Sequence, residues 1–332
     1  MLGGCMGPPS SGWSPAGMSA EELADGEAYH RALYAEGDIM SPLGWHRDSS
    51  SLLIEMAMPL LHEGARVVDY GCGTGGSAIE LLKACDARGL GIELMLVDPL
   101  PSWFHKAHSL LADRPDVRLE LSLRTDADGR RLFRTLDEML DGEHVDLIVC
   151  SSTFHLIPAK VLDALLKEMA GVLLPGGSLV WSSGDIAHPS RPSSRALLHD
   201  PYRMVRARLR GEEARLAALD LLDEQARTRC ERAADAIFPE PPDVSIMLNA
   251  VEGAGMSSRI ATEQIEMSLD DAERFILVPR LSDVAAPLDS GEQRDQLIRS
   301  ALEASFTAMR EGGKADDDVY RIHWTFGVHE LA

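Results

Sequence analysis

The sequence predicts an α/β fold: a Rossmann-like, seven-stranded, mostly parallel sheet with its last strand antiparallel, plus a helical cap and an N-terminal lid. Three observations predict it. From about residue 65 to 185, short apolar runs alternate with helical patterns, as right-handed βαβ units do. A glycine-rich loop directly follows the first of these runs. The chain then closes on Val319–His329 (VYRIHWTFGVH), rich in β-branched and aromatic residues.

The expected strands of the first half are Arg66–Tyr70, Ile92–Val97, Val117–Leu123, Val145–Cys150 and Ser178–Ser182. Helical patterns lie between them near Ser77–Cys85, Trp103–Asp113, Arg131–Leu140 and Ala159–Leu174. Leu174-Pro175-Gly176-Gly177 reads as a helix stop and turn. After Gly184 the pattern changes. Residues 186–240 hold ten Arg and no Lys against nine Asp+Glu, so this stretch is near neutral in an acidic chain. Its helical character and Pro-rich ends suggest an insertion over the sheet edge. Strand-like alternation resumes at Arg259–Met267, and a helix is expected near Glu292–Arg310. The domain reading is a flexible leader over 1–20, a helical lid over 21–60, a core over 61–185, a helical cap over 186–240 and the rest of the sheet over 241–332.

The 332 residues carry 32 Lys+Arg and 53 Asp+Glu, a formal charge of −21. That balance argues against a nucleic-acid backbone or an anionic membrane as partner. No run approaches the 18 or so apolar residues of a membrane span. The first residues show neither the basic nor the apolar region of a secretory signal. Five scattered cysteines without a Cys-x-x-Cys pair fit a reduced, cytoplasmic protein. His105 and His108 stand one turn apart with no third ligand in sight, so no metal is expected.

The sharpest signal is Val67-Val68-Asp69-Tyr70-Gly71-Cys72-Gly73-Thr74-Gly75-Gly76. Glycines after a buried strand let the backbone turn tightly and approach a ligand. Gly71, Gly73 and Gly76 also satisfy G-x-G-x-x-G, so an NAD-dependent oxidoreductase is the alternative. Asp69, two residues before the first glycine, suits the ammonium of a methionine moiety and would repel a pyrophosphate. Asp98, at the end of the second strand, can accept both hydroxyls of a ribose, which serves either cofactor.

VVDYGCGTG resembles the first motif of class I S-adenosylmethionine-dependent methyltransferases. The resemblance extends through VDP, VDLIVCSSTFHLIP and LLPGGSLVWSS, roughly residues 65–185. It implies S-adenosyl-L-methionine as cofactor, held by Asp69, Tyr70, Gly71, Cys72, Gly73, Thr74, Gly75, Asp98, Pro99 and Ser151. LVDPLPSWFHKAHSLL, SSTFHLIP, LLPGGSLV and FPEPPDVSIMLNAVEGAGM also run in the order seen in SABATH-type carboxyl methyltransferases. That family usually has His-Trp after the fourth strand, where this chain has His155-Leu156. Nor does Tyr34–Trp45 contain the glutamine of that family.

His155 lies just past the fourth strand, at the carboxyl edge where ligands bind in open α/β sheets. It is the candidate catalytic residue, as base for a hydroxyl or donor to a carboxylate. Tyr34, Trp45 and His46 are candidate acceptor-binding residues of the lid. Arg203, Arg206 and Arg210 fall at i, i+3 and i+7 of one helical face; Arg203 and Arg206 are candidates for an anionic acceptor. The expected activity is methyl transfer to a small molecule, first to oxygen in secondary metabolism. Nitrogen or carbon is the alternative, including that of a prenyl or other anionic metabolite. A homodimer is left open.

Overall fold

The computed structural model describes residues 18–35, 38–125, 128, 130–225, 227–228, 232, 237, 239–288 and 291–331. Most of the expected leader, part of the expected cap, Cys5 and Cys230 lie outside the described residues. The sheet strands are β1 (Ala65–Tyr70), β2 (Ile92–Asp98), β3 (Val117–Leu121), β4 (Val145–Ser151), β5 (Leu173–Ser183), β6 (Arg259–Ser268) and β7 (Val319–Glu330). Their order is β6-β7-β5-β4-β1-β2-β3. β7 runs antiparallel to both neighbours, and the pairs from β5 to β3 are parallel. Two residues, Ala315–Asp316, add to the edge of β7.

The strands are apolar because both faces are covered. Val67 packs into one hydrophobic layer and its neighbour Val68 into the other. The first layer takes α1 (Ala20–Leu33), α2 (Gly44–Ala57), α3 (Gly76–Arg88) and α4 (Pro101–Leu111). The second takes α5 (Leu136–Leu140) and α6 (Ala159–Val172). Further along come α7 (Asp200–Leu209), α8 (Glu213–Asp220) and α9 (Val244–Gly253), then α10 (Leu269–Ile276), α11 (Pro279–Ala285) and α12 (Gly291–Glu311). Of the expected cap, residues 186–199 are irregular and helix begins only at Asp200. α7 buries Tyr202, Val205 and Leu209 in the first layer, with Phe275 and Phe306. Among the described residues no helix is long and apolar enough to cross a membrane.

Two expectations are corrected. The helix expected over Arg131–Leu140 starts only at Leu136, where a Thr135–Glu138 capping box fixes its first turn. Arg131–Phe133 instead forms a hairpin with Leu123–Thr125, and Leu132 and Phe133 are exposed. The third strand, expected to reach Leu123, ends at Leu121, opposite Asp98, the last residue of β2. The Leu174–Gly177 turn interrupts the pairing of β5. Its register steps from Val145↔Leu173 to Leu147↔Ser178, with Gly176 at φ 78.

Candidate cofactor and acceptor site

The loop from β1 to α3 turns on Gly71, Gly73 and Gly75, at φ 77, 56 and 87. Side chains rarely adopt such angles. The Gly71 and Cys72 amides donate to the Val97 carbonyl at 2.8 and 3.1 Å, which ties the loop to β2. Asp98 completes the tie. One carboxylate oxygen accepts from the Gly73 amide at 2.8 Å and the other from the Leu100 amide at 2.7 Å. Beyond β4, Ser152 takes the left-handed φ of 51. Thr153 then donates to the Gly71 carbonyl at 3.3 Å and the Ser151 carbonyl at 2.9 Å.

Asp69 is 1 % exposed, and neither of its carboxylate oxygens has a hydrogen-bond partner. Burial, with Asp98 beside it and against the nearby Ala78 amide, pushes its pKa up to about 7. Burial also raises Asp98, to about 6, against the opposing hydrogen bonds from Leu100 and Gly73. A buried, partnerless carboxylate is costly unless a cation meets it. The methionine ammonium of S-adenosyl-L-methionine is such a cation, and the glycine loop beside it leaves no side chain in its way. These residues therefore fit the cofactor that the sequence implies.

The two glycines give different expected results. A Cβ at Gly71 would collide with the Thr153 side chain. Gly71→Ala should lower the thermal midpoint, with a stability loss of about 1–3 kcal/mol. A Cβ at Gly73 would meet only the Trp103 and Tyr29 rings, at 3.9 and 4.0 Å. Gly73→Ala should stay folded by circular dichroism, at about 1–2 kcal/mol for the left-handed backbone, and lose S-adenosylhomocysteine binding in calorimetry. Normal affinity in that variant would move the cofactor away from this loop.

The N-terminal segment folds over the loop. Tyr29 stacks on Trp103 with ring centroids 3.9 Å apart. His30 Nδ1 lies 3.3 Å from Thr74 Oγ1. The Tyr34 hydroxyl donates to the Gly76 carbonyl at 3.0 Å, and a Cβ on Gly76 would come 2.9 Å from His46. Burial holds His30 and His46 to about 4, so both rings are neutral. Asp25 anchors the segment: its carboxylate accepts from Trp103 Nε1 at 3.0 Å and the Arg280 amide at 3.0 Å.

On the acceptor side, His155 Nδ1 lies 3.0 Å from Ser183 Oγ, leaving Nε2 as the ring nitrogen for a ligand. Ser183 Oγ also accepts from the Asp185 amide at 3.1 Å. The Asp185 side chain, fully buried, meets His199 Nδ1 at 3.2 Å and accepts from the Arg203 guanidinium at 3.1 and 2.5 Å. Burial opposes its charge, but His199, His155 and Arg203 hold the Asp185 carboxyl well below the usual carboxylate range. Burial, with His199 nearby, lowers His155 to about 3.

Buried rings connect the two sides. Phe275 lies 5.9 Å from Tyr29, 5.9 Å from Trp45, 6.2 Å from His199 and 5.5 Å from Tyr202, centroid to centroid. His199 lies 5.1 Å from His155. The structure thus brings Asp69, Asp98, the glycines and Thr74 together at the ends of β1 and β2, and His155 to the end of the neighbouring β4. Tyr70, Cys72, Pro99 and Ser151 flank the same strand ends.

Three acceptor candidates take other positions than expected. Tyr34 and His46 meet Gly76 of the loop. Arg203 is bound to Asp185 and to the Pro239 carbonyl. Trp45 does reach the ring cluster, and Arg206 lies further along α7. His155, Asp185 and His199 place potential ligand atoms within 4.8 Å of one another. Arg203 puts its positive charge on Asp185, which opposes a divalent ion there.

Sequence reasoning missed Tyr29, Trp103, Asp185, His199 and Phe275. Only Phe275 carried a local signal: Ser268 caps α10 by accepting from the Asp271 amide, the S-x-x-D pattern of a helix start.

Comparison with known proteins agrees with this geometry. Residues 67–177 match the methyltransferase domain family. No curated protein matches the sequence. A putative sarcosine dimethylglycine methyltransferase from Galdieria sulphuraria shares the fold, at TM-score 0.51 and 14% identity, over 95% of this chain and 99% of that one. Phosphoethanolamine N-methyltransferase 2 of Haemonchus contortus, in complex with S-adenosyl-L-methionine, aligns at TM-score 0.48 and 16% identity, over 92% of this chain and 56% of that one. A cyclopropane synthase from Mycobacterium tuberculosis aligns at TM-score 0.48 and 13% identity, over 93% and 97%. Residues 67–177 thus carry a methyltransferase domain on this sheet, the chain shares the fold of the Galdieria protein, and Asp69, Asp98 and the glycine loop fit S-adenosyl-L-methionine.

Proposed function

We propose that the protein transfers the cofactor's methyl group to an oxygen of a small-molecule acceptor held against His155. One observation carries this reading. His155 is buried at the carboxyl end of β4, held by Ser183 and two residues from Thr153, which bonds the glycine loop. The sulfonium supplies an activated methyl when bound. The protein's part is to align the acceptor and exclude water. Asp69 and Asp98 hold the cofactor, and the N-terminal segment acts as a lid. Phe275, Tyr202 and Trp45 suit an acceptor with an apolar or aromatic body.

His155 stays neutral down to about pH 3, so it holds a hydroxyl by accepting its hydrogen bond rather than by charge. His155→Ala should cut kcat by about 10²-fold, equally at every pH between 5 and 8. His155→Gln should recover part of the loss, since its amide oxygen also accepts. Wild-type kinetics in the alanine variant would reduce His155 to packing. The ring cluster favours a second reading, methylation of an amine, because aromatic faces hold cations. A screen of phenols, carboxylic acids and amines for release of S-adenosylhomocysteine separates these readings. The acidic, cysteine-scattered composition supports a cytoplasmic enzyme. Its Arg- and Ala-rich, Lys-poor composition supports a role in secondary metabolism.

A further inference from the structure

β5 ends at Ser183, whereas β7 continues past that level, with Thr325 paired to Ser183. The uncovered edge of β7 is taken by the returning chain. The Ala196 amide donates to the Arg321 carbonyl at 2.8 Å, and the His323 amide donates to the Ala196 carbonyl at 2.9 Å. This lays residues 188–195 beside His323, whose ring lies 5.7 Å from that of His188.

The place is polar and unsatisfied. His323 is 1 % exposed, yet neither ring nitrogen has a hydrogen-bond partner, and the buried Thr325 Oγ1 has none either. Buried polar groups are normally paired. Arg191 and Arg195 flank them. Arg191 donates to the Arg195 carbonyl at 2.8 Å, and among the described residues neither guanidinium forms an ion pair. In a chain with 53 acids to 32 bases, two guanidiniums left without a carboxylate stand against the composition.

Paired residues of antiparallel strands share a face, so Thr325 and His323 lie on the same side as Ser183, the partner of His155. Strand spacing of about 4.8 Å and a two-residue rise of about 6.7 Å put His323 on the order of 10 Å from His155. We propose that His323, Thr325 and His188, with Arg191 and Arg195, form a subsite for an oxyanion, phosphate or carboxylate, carried by the methyl acceptor. This rests on the reading of His155 as the acceptor's place. The groups supply donors for one anion: a ring N–H, a hydroxyl and two guanidiniums. Burial first, then His188 and the two arginines, lower His323 to about 4; Asp243, bridged to Ala187, interacts with His188.

The test uses the full chain. Inorganic phosphate is titrated against protein with labelled histidines. The expected result is a saturable shift of the His323 ring resonance, abolished in an Arg191→Ala/Arg195→Ala double variant. Both arginines are partly exposed, so that variant should fold and should bind S-adenosylhomocysteine as the wild type does. No saturable shift overturns the subsite. The second arm uses matched acceptors with and without a terminal carboxylate or phosphate. The double variant should raise KM about 10-fold for the anionic member and leave its kcat, and the neutral member, unchanged. Phosphate binding without that KM change overturns the assignment to the acceptor and leaves a site for free phosphate. Loss of His155 dependence with the phosphate arm intact would count against the methyl-transfer reading alone.

Discussion

Replacing Asp98 by alanine is expected to cost about 2–4 kcal/mol of S-adenosylhomocysteine binding, the scale of charge-assisted hydrogen bonds. Two effects add. In the proposed cofactor pose the ribose hydroxyls lose their acceptor, and the loop loses its clasp, since Asp98 holds the Gly73 and Leu100 amides at 2.8 and 2.7 Å. Asp98→Asn should fall between, because its single amide oxygen can hold only one of those amides as before. Calorimetry decides, and unchanged affinity in the alanine variant would take Asp98 out of the site.

Cofactor binding should also depend steeply on pH through Asp69. The carboxyl of the unliganded protein titrates near 7, and it meets an ammonium only when ionised. Lowering the pH through 7 protonates it and weakens binding. S-adenosylhomocysteine should bind about 30-fold more weakly at pH 5.5 than at pH 8, with proton release on binding in the acid range. For the unliganded fold the sign is opposite. The folded state holds the proton more tightly than the unfolded chain, so this residue's contribution to stability falls as pH rises from about 4 to 7. Asp98 raises Asp69, so the observed midpoint also depends on the charge of Asp98. Asp69→Asn should flatten the dependence. A slope that survives in the variant would refute this account.

The sheet and the cofactor loop were legible in the sequence because their signals are local. Each strand is a short apolar run, and Asp69, the glycines and Asp98 sit at fixed offsets from strand ends. The acceptor side was less legible, because its partners come from distant elements. Arg203 has the helical spacing of an anion anchor, but the loop after β5 brings Asp185 against it. Nothing in that spacing announces Asp185. The ring cluster is similar: Tyr29, Trp45, Tyr202 and Phe275 come from α1, α2, α7 and α10. Leu132 and Phe133 misled in the other direction, as apolar residues that a hairpin leaves exposed.

The Asp25–Arg280 hydrogen bond spans 255 residues of chain, and this separation bears on the order of assembly. During synthesis α1 emerges first, yet one of its anchors, α11, and one of its ring partners, Phe275, are made in the last fifth of the chain. Closing so long a loop must be offset by contacts that only the finished sheet provides. The covering of the cofactor loop is therefore a late event in folding. A nascent or truncated chain that ends before α10 has the glycine loop but lacks part of what holds α1 over it.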